Sequence, residues 1–308
     1  MTKPTPPSRR AVLRGGFCLG ALAHPLLAGA ARAEVPARPP RRIVSMDFGL
    51  AETLIEIGLP PIALPDPGGW GDWVVEPALP ADTVNIGTDR EPNLELLAAL
   101  RPDLIVTTPY LAGIRPLLEG IAPTREFSIY APPVGHPFDR SVTATRALAT
   151  ILGREREGEA LVARAEAEMA ALRRRFAESG VAGRPIMVVS FLDTRHVRVY
   201  GAGSLFGDVM ERCGLVNGWT RPSNYWGFNT VGIEALADSP ASRLVYLEPI
   251  SPDTLARLAE SPLWNSLPFV RAGQVQRMPA ALMFGMLPSA MRFARLLAGV
   301  LAEERGNG

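Results

Sequence analysis

The chain has very little of three residue types on which enzyme chemistry often depends. Its 308 residues include two cysteines, three histidines and a single lysine, Lys3. Without a lysine in the body of the chain, there is no Schiff-base amine and no phosphate-binding P-loop. Beyond residue 33 only His136, His196 and Cys213 remain, too few for a metal site built from histidine and cysteine. A Ser–His–Asp arrangement is possible in principle, but no Gly-x-Ser-x-Gly motif supports it.

Net positive charge is confined to the first 33 residues. The five basic and no acidic residues of 1–33 contribute +5 to the net charge of +1, which leaves −4 for the rest. A mildly acidic body argues against a nucleic-acid-binding protein, which needs a basic surface. The lone Cys213 beyond this segment also excludes an intramolecular disulfide and is predicted to be a small core residue.

Residues 1–33 have the pattern of an export signal. The paired Arg9 and Arg10 precede a short apolar run, "FCLGALAHPLLAGA", and then "ARA". This order predicts a twin-arginine signal that is cleaved after about Ala33, which implies a periplasmic location. A short membrane anchor is the alternative, although the run is brief and rich in glycine for a membrane span.

Strand-like and helix-like segments alternate along the remainder, which predicts parallel βαβ units in an α/β fold. Residues 154–180 differ, because apolar residues recur at helical spacing through an Ala-, Glu- and Arg-rich stretch that ends at Gly180. This pattern predicts one helix of about 25 residues. We therefore expect two α/β lobes, at 34–153 and 181–308, joined by one long rigid α-helix.

Two segments are candidates for ligand contact. "GAGSLFG" (201–207) resembles a dinucleotide-binding loop, but its third glycine is one residue late and no acidic ribose partner follows, which favours a plain turn capped by Ser204. Aromatic residues also stand in predicted loops, among them "SNYWGF" (223–228). Each alone is typical of core or rim, but together they predict a lined cleft at the carboxyl ends of the strands.

Several longer motifs resemble the periplasmic iron-siderophore-binding proteins of the ferric-hydroxamate type. These are "GTDREPNLELLAALRPDLIV", "SLFGDVMERCGLVNGW", "SNYWGFNTVGIEALA", "PLWNSLPFVRAGQVQRMPA" and "SAMRFARLL". The resemblance covers residues 41–304 and implies two lobes joined by a single helix. It also implies a monomer without catalytic activity or cofactor, which delivers an iron(III)-siderophore complex to an inner-membrane ABC importer.

The resemblance also implies which residues contact the ligand. Arg90 and Tyr110 would donate hydrogen bonds to the iron-bound oxygens, and Trp73 and Trp226 would form apolar walls. Tyr225 either contacts the ligand or packs inward beside Trp226. The predicted set is completed by Arg198, Asn229 and Phe284.

Three positions depart from the family pattern. Asp89 stands where the family has its arginine, so that Arg90 is one residue late. Arg198 occupies an expected apolar position, and Phe228 replaces a small polar residue, which leaves Asn229 as the nearest polar candidate. These changes leave the chelator open, and a haem or cobalamin carrier of the same fold, an exported α/β enzyme and a membrane-surface adaptor remain alternatives.

In this family an acid on each lobe pairs with arginines of the importer. The resemblance makes Glu95, in "PNLELL", and Glu234, in "VGIEAL", the docking candidates. Each is predicted in the first turn of a helix, where a negative charge also interacts favourably with the helix dipole. Either role is consistent with the sequence.

Overall fold

The computed structural model describes residues 38–130, 135–181, 183–239 and 243–303. The predicted export signal at 1–33 and its cleavage site therefore lie outside the described residues. Within the described ranges, none of the helices combines the length and the apolar character needed to cross a membrane.

The first lobe is built on a parallel sheet. Its strands are β1 (Ile43–Ser45), β2 (Ala63–Leu64), β3 (Val84–Asn85), β4 (Leu104–Thr107) and β5 (Thr124–Glu126). They lie in the order β3-β2-β1-β4-β5, and every pair is parallel. Because β1 and β4 are buried on both faces, their sequences are continuous apolar runs rather than alternating ones.

Helices cover this sheet and begin at side chains that suit helix starts. They are α1 (Phe48–Glu56), α2 (Trp70–Trp73), α3 (Leu94–Ala99), α4 (Arg115–Glu119) and α5 (Pro137–Leu152). Asp47 and Asn93 cap α1 and α3 by accepting hydrogen bonds from backbone N–H groups of the first turn. The Gly- and Trp-rich stretch after β2, "DPGGWGDW", has the composition of a loop but contains α2, and it precedes the short strand β3, which was not predicted.

One long helix, α6 (Glu155–Ser179), leads from the first lobe to the second. Its 25 residues span roughly 37 Å at 1.5 Å per residue. A buried stripe that includes Leu161, Ala165 and Met169 packs into the main core. The helix ends at Gly180, whose φ of 67° is left-handed backbone that favours glycine.

The second lobe has a mixed sheet instead of the expected parallel one. Its strands are β6 (Ile186–Phe191), β7 (His196–Tyr200), β8 (Phe228–Gly232), β9 (Arg243–Leu247) and β10 (Val275–Met278). In the order β10-β9-β6-β7-β8, the first three strands are parallel and the pairs β6–β7 and β7–β8 are antiparallel. The prediction missed β8, because "SNYWGF" has no alternating pattern until Phe228.

The second lobe's helices are short except for the last. They are α7 (Leu205–Arg212), α8 (Pro252–Glu260), α9 (Pro262–Ser266), α10 (Pro268–Arg271) and α11 (Leu287–Glu303). The helix predicted at "GIEALADS" is a 3₁₀ helix, Ile233–Asp238. Ser204 caps α7, as expected of a plain turn at "GAGSLFG".

The last helix packs against helices of both lobes. α11 packs against α1, α5 and α6 as well as α7. The buried Glu52 on α1 accepts hydrogen bonds from the backbone N–H groups of Met286, just before α11, and of Ser289, in its first turn. The residue boundaries of the lobes stay a prediction, but the fold class, two α/β lobes joined by one long helix, is confirmed.

A cleft lined by aromatic side chains

A cavity of about 440 Å³ opens between the two lobes. Aromatic and other apolar side chains make up most of its lining, with a few charged and polar groups among them. The lining residues are Asp47, Leu50, Asp89, Thr108, Pro109, Tyr110, Phe127, Ser128, Ile129, Tyr130, Ala144, Arg198, Tyr225, Trp226, Phe228, Phe284 and Met286. This combination of an apolar concave surface with few polar groups is typical of small-molecule sites.

The first-lobe wall is made by residues that follow the ends of parallel strands. Asp47 follows β1, Thr108 and Tyr110 follow β4, and Ser128 follows β5. Carboxyl ends of parallel strands meet at one edge of a sheet, and ligands of open α/β sheets bind beyond that edge. The wall thus lies where the predicted alternation of strands and helices places a site.

The second-lobe wall is made differently. Arg198 lies in the middle of β7, and Phe228 is the first residue of β8. Tyr225 and Trp226 come from the turn before β8, and Phe284 comes from the segment between β10 and α11. This wall combines a strand face with two connecting segments.

Trp226 lies at the centre of an aromatic cluster that joins both walls. Its ring centroid is 6.2 Å from that of Tyr110, 5.6 Å from Tyr130, 4.9 Å from Tyr225 and 5.6 Å from Phe284, all at edge-to-face angles. This geometry is the favourable one for aromatic pairs. Because Tyr110 and Tyr130 belong to the first lobe, the indole contacts both sides of the cleft.

A tight turn holds Trp226 in this position. The Asn224 side chain accepts hydrogen bonds from the backbone N–H groups of Trp226 and Phe228, and the N–H of Gly227 donates to the carbonyl of Asn224. Gly227 has a φ of 79°, and a Cβ there would lie 2.2 Å from the backbone nitrogen of Ser204. Glycine is therefore required both by the turn and by its close approach to the start of α7.

Tyr130 anchors the floor of the cleft by hydrogen bonds to the second lobe. Its buried hydroxyl donates to the carbonyl of Met283 at 3.0 Å and accepts from the N–H of Leu205 at 3.2 Å. Its backbone carbonyl accepts a hydrogen bond from the Tyr225 hydroxyl. Burial raises the pKa of Tyr130, so its hydroxyl stays protonated.

Charge is distributed unevenly between the walls. Asp47 and Asp89 lie on the first-lobe wall, and Arg198 lies on the second-lobe wall. Burial raises the pKa of Asp47 to about 6, against the hydrogen bonds from Leu50 and Gly49 and with a smaller rise from the charge of Asp89. Arg90 does not line the cavity, but its guanidinium lies 4.8 Å from the ring centroid of Tyr110.

The structure brings five of the eight predicted contact residues to the cavity: Tyr110, Arg198, Tyr225, Trp226 and Phe284. It does not bring Trp73 there, because that side chain is 49 % exposed at the end of α2 and packs over Gly69. Asn229 also lies elsewhere. It bonds Trp219 and Pro222, because alternation along β8 turns it to the face opposite Phe228.

Several lining residues were not predicted. The stretch "REFSIYA" (125–131) predicts a strand that would include Tyr130, but β5 ends at Glu126, so Tyr130 lies in the segment that follows the strand. Asp47 could have been found from the sequence, because it is the polar residue after a buried strand and before a helix. No group of three or more His, Cys, Asp or Glu side chains in the described ranges is arranged to hold a metal ion.

Both docking candidates are exposed and lie in the first turn of a helix. Glu95 lies in α3, and Glu234 lies in the 3₁₀ helix of the second lobe. The Glu234 carboxylate folds back over Gly232. Their role at an importer stays a prediction.

Comparison with known proteins places the chain in a family. The model of the family described as "Periplasmic binding protein" matches residues 43–282. The iron(3+)-hydroxamate-binding protein FhuD of Escherichia coli strain K12 is 32 % identical over 273 residues, which cover 89 % of this chain and 91 % of that protein.

Solved structures agree with this assignment. The siderophore-binding protein FhuD of Vibrio cholerae, solved with Fe³⁺-Desferal bound, superposes with a TM-score of 0.78 at 25 % identity, covering 85 % of this chain and 97 % of that one. Staphylococcus aureus SirA, solved with staphyloferrin B, shares the fold with a TM-score of 0.65 at 20 % identity, covering 86 % and 94 %. Because the family model spans most of the chain and the Escherichia coli relative covers nearly all of it, this chain belongs to the periplasmic binding protein family.

Proposed function

We propose that this protein captures a ferric siderophore of the hydroxamate type in the cleft between its lobes and delivers it to an inner-membrane ABC importer. The observation that carries the proposal is the aromatic cluster around Trp226, to which both lobes contribute. A siderophore presents an apolar organic backbone around its iron centre, and edge-to-face aromatic walls suit such a surface. The two relatives named for hydroxamate and Desferal binding support the same ligand class.

The charges of the cleft support a hydroxamate over a catecholate chelate. Three catecholates around iron(III) leave a charge of −3, whereas three hydroxamates leave a neutral complex. The lining contains two acids, Asp47 and Asp89, and one cation, Arg198. A strongly anionic complex would be repelled by the first-lobe wall, and a neutral one would not.

We infer that the protein is a carrier without catalytic activity. A raised pKa in a cleft is often a sign of catalysis. Here, however, Asp47 has a structural role, because its carboxylate caps α1 by accepting the N–H of Leu50 at 2.9 Å. The described residues that line the cavity include no histidine, cysteine or lysine to act with it.

The proposal is tested by intrinsic tryptophan fluorescence with a panel of ferric complexes. Ferrichrome and ferrioxamine B should quench the emission saturably, and ferric enterobactin, a tricatecholate, should not. Haem belongs in the panel, because Tyr110 is a possible axial ligand. Binding of haem or of the tricatecholate without binding of either hydroxamate would contradict the proposal.

Export and delivery are parts of the same proposal. The paired Arg9 and Arg10 support twin-arginine export, after which the mature protein acts as a monomer in the periplasm. Replacing both with lysine should leave the precursor in the cytoplasm, as fractionation and immunoblotting would detect. Normal export of that variant would contradict the twin-arginine assignment.

A further inference from the structure

We propose that Arg198 is a recognition site for a carboxylate on the chelate, so that the preferred ligand is a mixed hydroxamate–carboxylate siderophore. This inference rests on the proposed function, since it concerns the ligand of the same cleft. It concerns a position at which the sequence departs from the family pattern, because the resemblance predicts an apolar residue there.

The strand places Arg198 on the face of the sheet that borders the cleft. Val197 and Val199 point to the opposite face and belong to the second lobe's own core. Arg198 and Tyr200 alternate with them, and Tyr200 packs into the core shared by both lobes. Arg198 sits opposite Ser190 on β6 and Thr230 on β8, so its backbone is fixed by strands on both sides.

Among the described residues, the contacts of this guanidinium include no carboxylate that would act as its counter-ion. It lies 4.3 Å from the ring centroid of Phe228, a cation–π contact. Its buried Nε has no hydrogen-bond partner among the described residues. The neighbouring Tyr200 hydroxyl interacts with the Arg198 side chain and is hydrogen-bonded to Ser190 at 2.8 Å. Burial raises the Tyr200 pKa, so this partner is a neutral hydroxyl and not a counter-ion.

Other arginines of the structure differ from Arg198, because carboxylates neutralise the charge of their guanidinium groups. Arg292, which is buried, donates to the carbonyl of Ala280 at 2.9 Å and to the carboxylate of Glu76 at 2.7 Å. Arg212, near the cleft floor, is paired with Asp208 and Asp139. Arg198 has no such carboxylate within ion-pair distance in the described part of the chain.

An uncompensated guanidinium against an aromatic wall is an effective receptor for an anion. Water that would otherwise screen the charge is partly displaced by Phe228, and the planar fork can donate both to the carboxylate oxygen that iron does not bind and to the iron-bound oxygen beside it. A neutral tris-hydroxamate offers only partly charged oxygens to such a group. A chelate with one carboxylate facing the second lobe also keeps its charge away from Asp47 and Asp89 on the first.

Isothermal titration calorimetry with two ferric complexes tests the inference. Ferrichrome has three hydroxamates and no carboxylate, and ferric schizokinen has two hydroxamates and the carboxylate and hydroxyl of citrate. The variants are R198Q, which removes the charge, and R198K, which keeps the charge without the fork. R195Q is the matched control, because Arg195 is an exposed arginine just before β7 and lies outside the cavity.

We expect R198Q to weaken binding of ferric schizokinen by about 10- to 100-fold, as loss of a charge-assisted hydrogen bond would. Binding of ferrichrome should change by less than about threefold. R198K should have an intermediate effect on ferric schizokinen, and R195Q should match the unmodified protein. If circular dichroism shows that R198Q does not fold, R198K replaces it. A larger loss of affinity for ferric schizokinen than for ferrichrome in R198K would then support the inference.

Three results would overturn the inference while leaving the proposed function in place. These are equal losses for both complexes, no loss for ferric schizokinen, and binding of ferrichrome alone by the unmodified protein. If the unmodified protein binds neither complex, siderophore capture itself is wrong, and the assignment of Arg198 fails with it.

Discussion

The two walls of the cleft are built from the same α/β architecture by different routes. On the first lobe, Asp47, Thr108 and Ser128 each follow the end of a parallel strand. On the second lobe, Arg198 is in the middle of an antiparallel strand, and Phe228 begins another. The rule that ligands of α/β sheets bind at the carboxyl ends of parallel strands therefore predicts the first-lobe wall. It does not predict Arg198 and Phe228 of the second-lobe wall.

The walls also differ in what they offer a ligand. The first-lobe wall carries two carboxyl groups and the hydroxyl of Tyr110, and the second carries a guanidinium and the indole of Trp226. A ligand that binds between the walls contacts chemically different surfaces on its two sides. The two walls therefore determine the orientation of the ligand and contribute to its affinity. Substitutions on each lobe therefore measure how far that lobe contributes to binding and to delivery.

The largest effect concerns delivery, for which each lobe has one docking candidate. Glu234→Arg should abolish stimulation of the importer's ATPase activity in reconstituted membranes, because reversed charge prevents encounter and register with basic residues of the importer. Ferrichrome affinity should stay unchanged, since Glu234 does not line the cavity. Glu95→Arg makes the same test for the first lobe, and Glu260→Arg, at an exposed acid of α8, is the matched control.

Normal stimulation of the importer's ATPase activity by Glu234→Arg would show that Glu234 is not part of the importer interface. The carboxylate would then act only on the local helix start, and its reversal would lower thermal stability without affecting the importer.

The next effect concerns Trp226, which contacts aromatic side chains of both lobes. Trp226→Ala should weaken ferrichrome binding by roughly 1–3 kcal/mol, because a large aromatic contact is lost from the centre of the site. Trp226→Phe should cost less. Trp73→Ala should have no effect, since Trp73 lies outside the cavity, and fluorescence titration of the three variants would show the order. Equal ferrichrome affinities for Trp226→Ala and Trp73→Ala would contradict the assignment of Trp226 to the centre of the binding site.

A smaller effect concerns Glu52, which joins the first lobe to the start of α11. Burial raises its pKa from 4.5 to about 8, despite hydrogen bonds from Ser289 and Met286. A carboxyl whose folded pKa is raised stabilises the folded state fully below pH 4.5, and this stabilisation is lost as the pH rises through about 8.

The free energy of unfolding should therefore fall between pH 6.5 and 8, by at most about 1.4 kcal/mol per pH unit from this group. Asp47 contributes in the same direction, but mainly below pH 6. Urea denaturation across this range should show a flatter profile for Glu52→Gln, which keeps a hydrogen-bond acceptor but does not titrate. Parallel profiles for the variant and the unmodified protein would mean that Glu52 is ionised throughout.

Long apolar or strongly periodic segments were predictable from the sequence in either lobe, and short or irregular ones were not. Strong signals, such as the buried runs at β1 and β4 and the Ala-rich stripe of α6, predicted the parallel sheet and the long helix. The antiparallel β8 was missed, because Asn224 and Gly227 form a turn whose hydrogen bonds are not visible in the pattern. Tertiary contacts decided the rest, since only the structure shows that Asn229 bonds Trp219 and that Tyr130 lies in the cleft.

The smallest expected effect is a change in the relative position of the lobes. Three connections resist such a change besides α6. The carboxylate of Asp208 on α7 accepts the N–H of Phe138 on α5 at 2.8 Å. The Tyr130 hydroxyl accepts the N–H of Leu205, and Glu52 holds the start of α11. Opening the cleft would leave these buried groups without partners, which costs about 1–3 kcal/mol for each.

Bending α6 would in addition break part of its hydrogen-bond ladder, because the sharp bends of helices occur at proline or at inserted groups and residues 155–179 contain no proline. We therefore expect the radius of gyration from small-angle scattering to stay nearly constant when ferrichrome binds. Asp208→Asn, which removes the charge of one connection, should leave the unliganded value unchanged, since α6 and the other two remain. A clear decrease on binding would show that the walls close on the ligand by a hinge, in spite of the connections at the floor of the cleft.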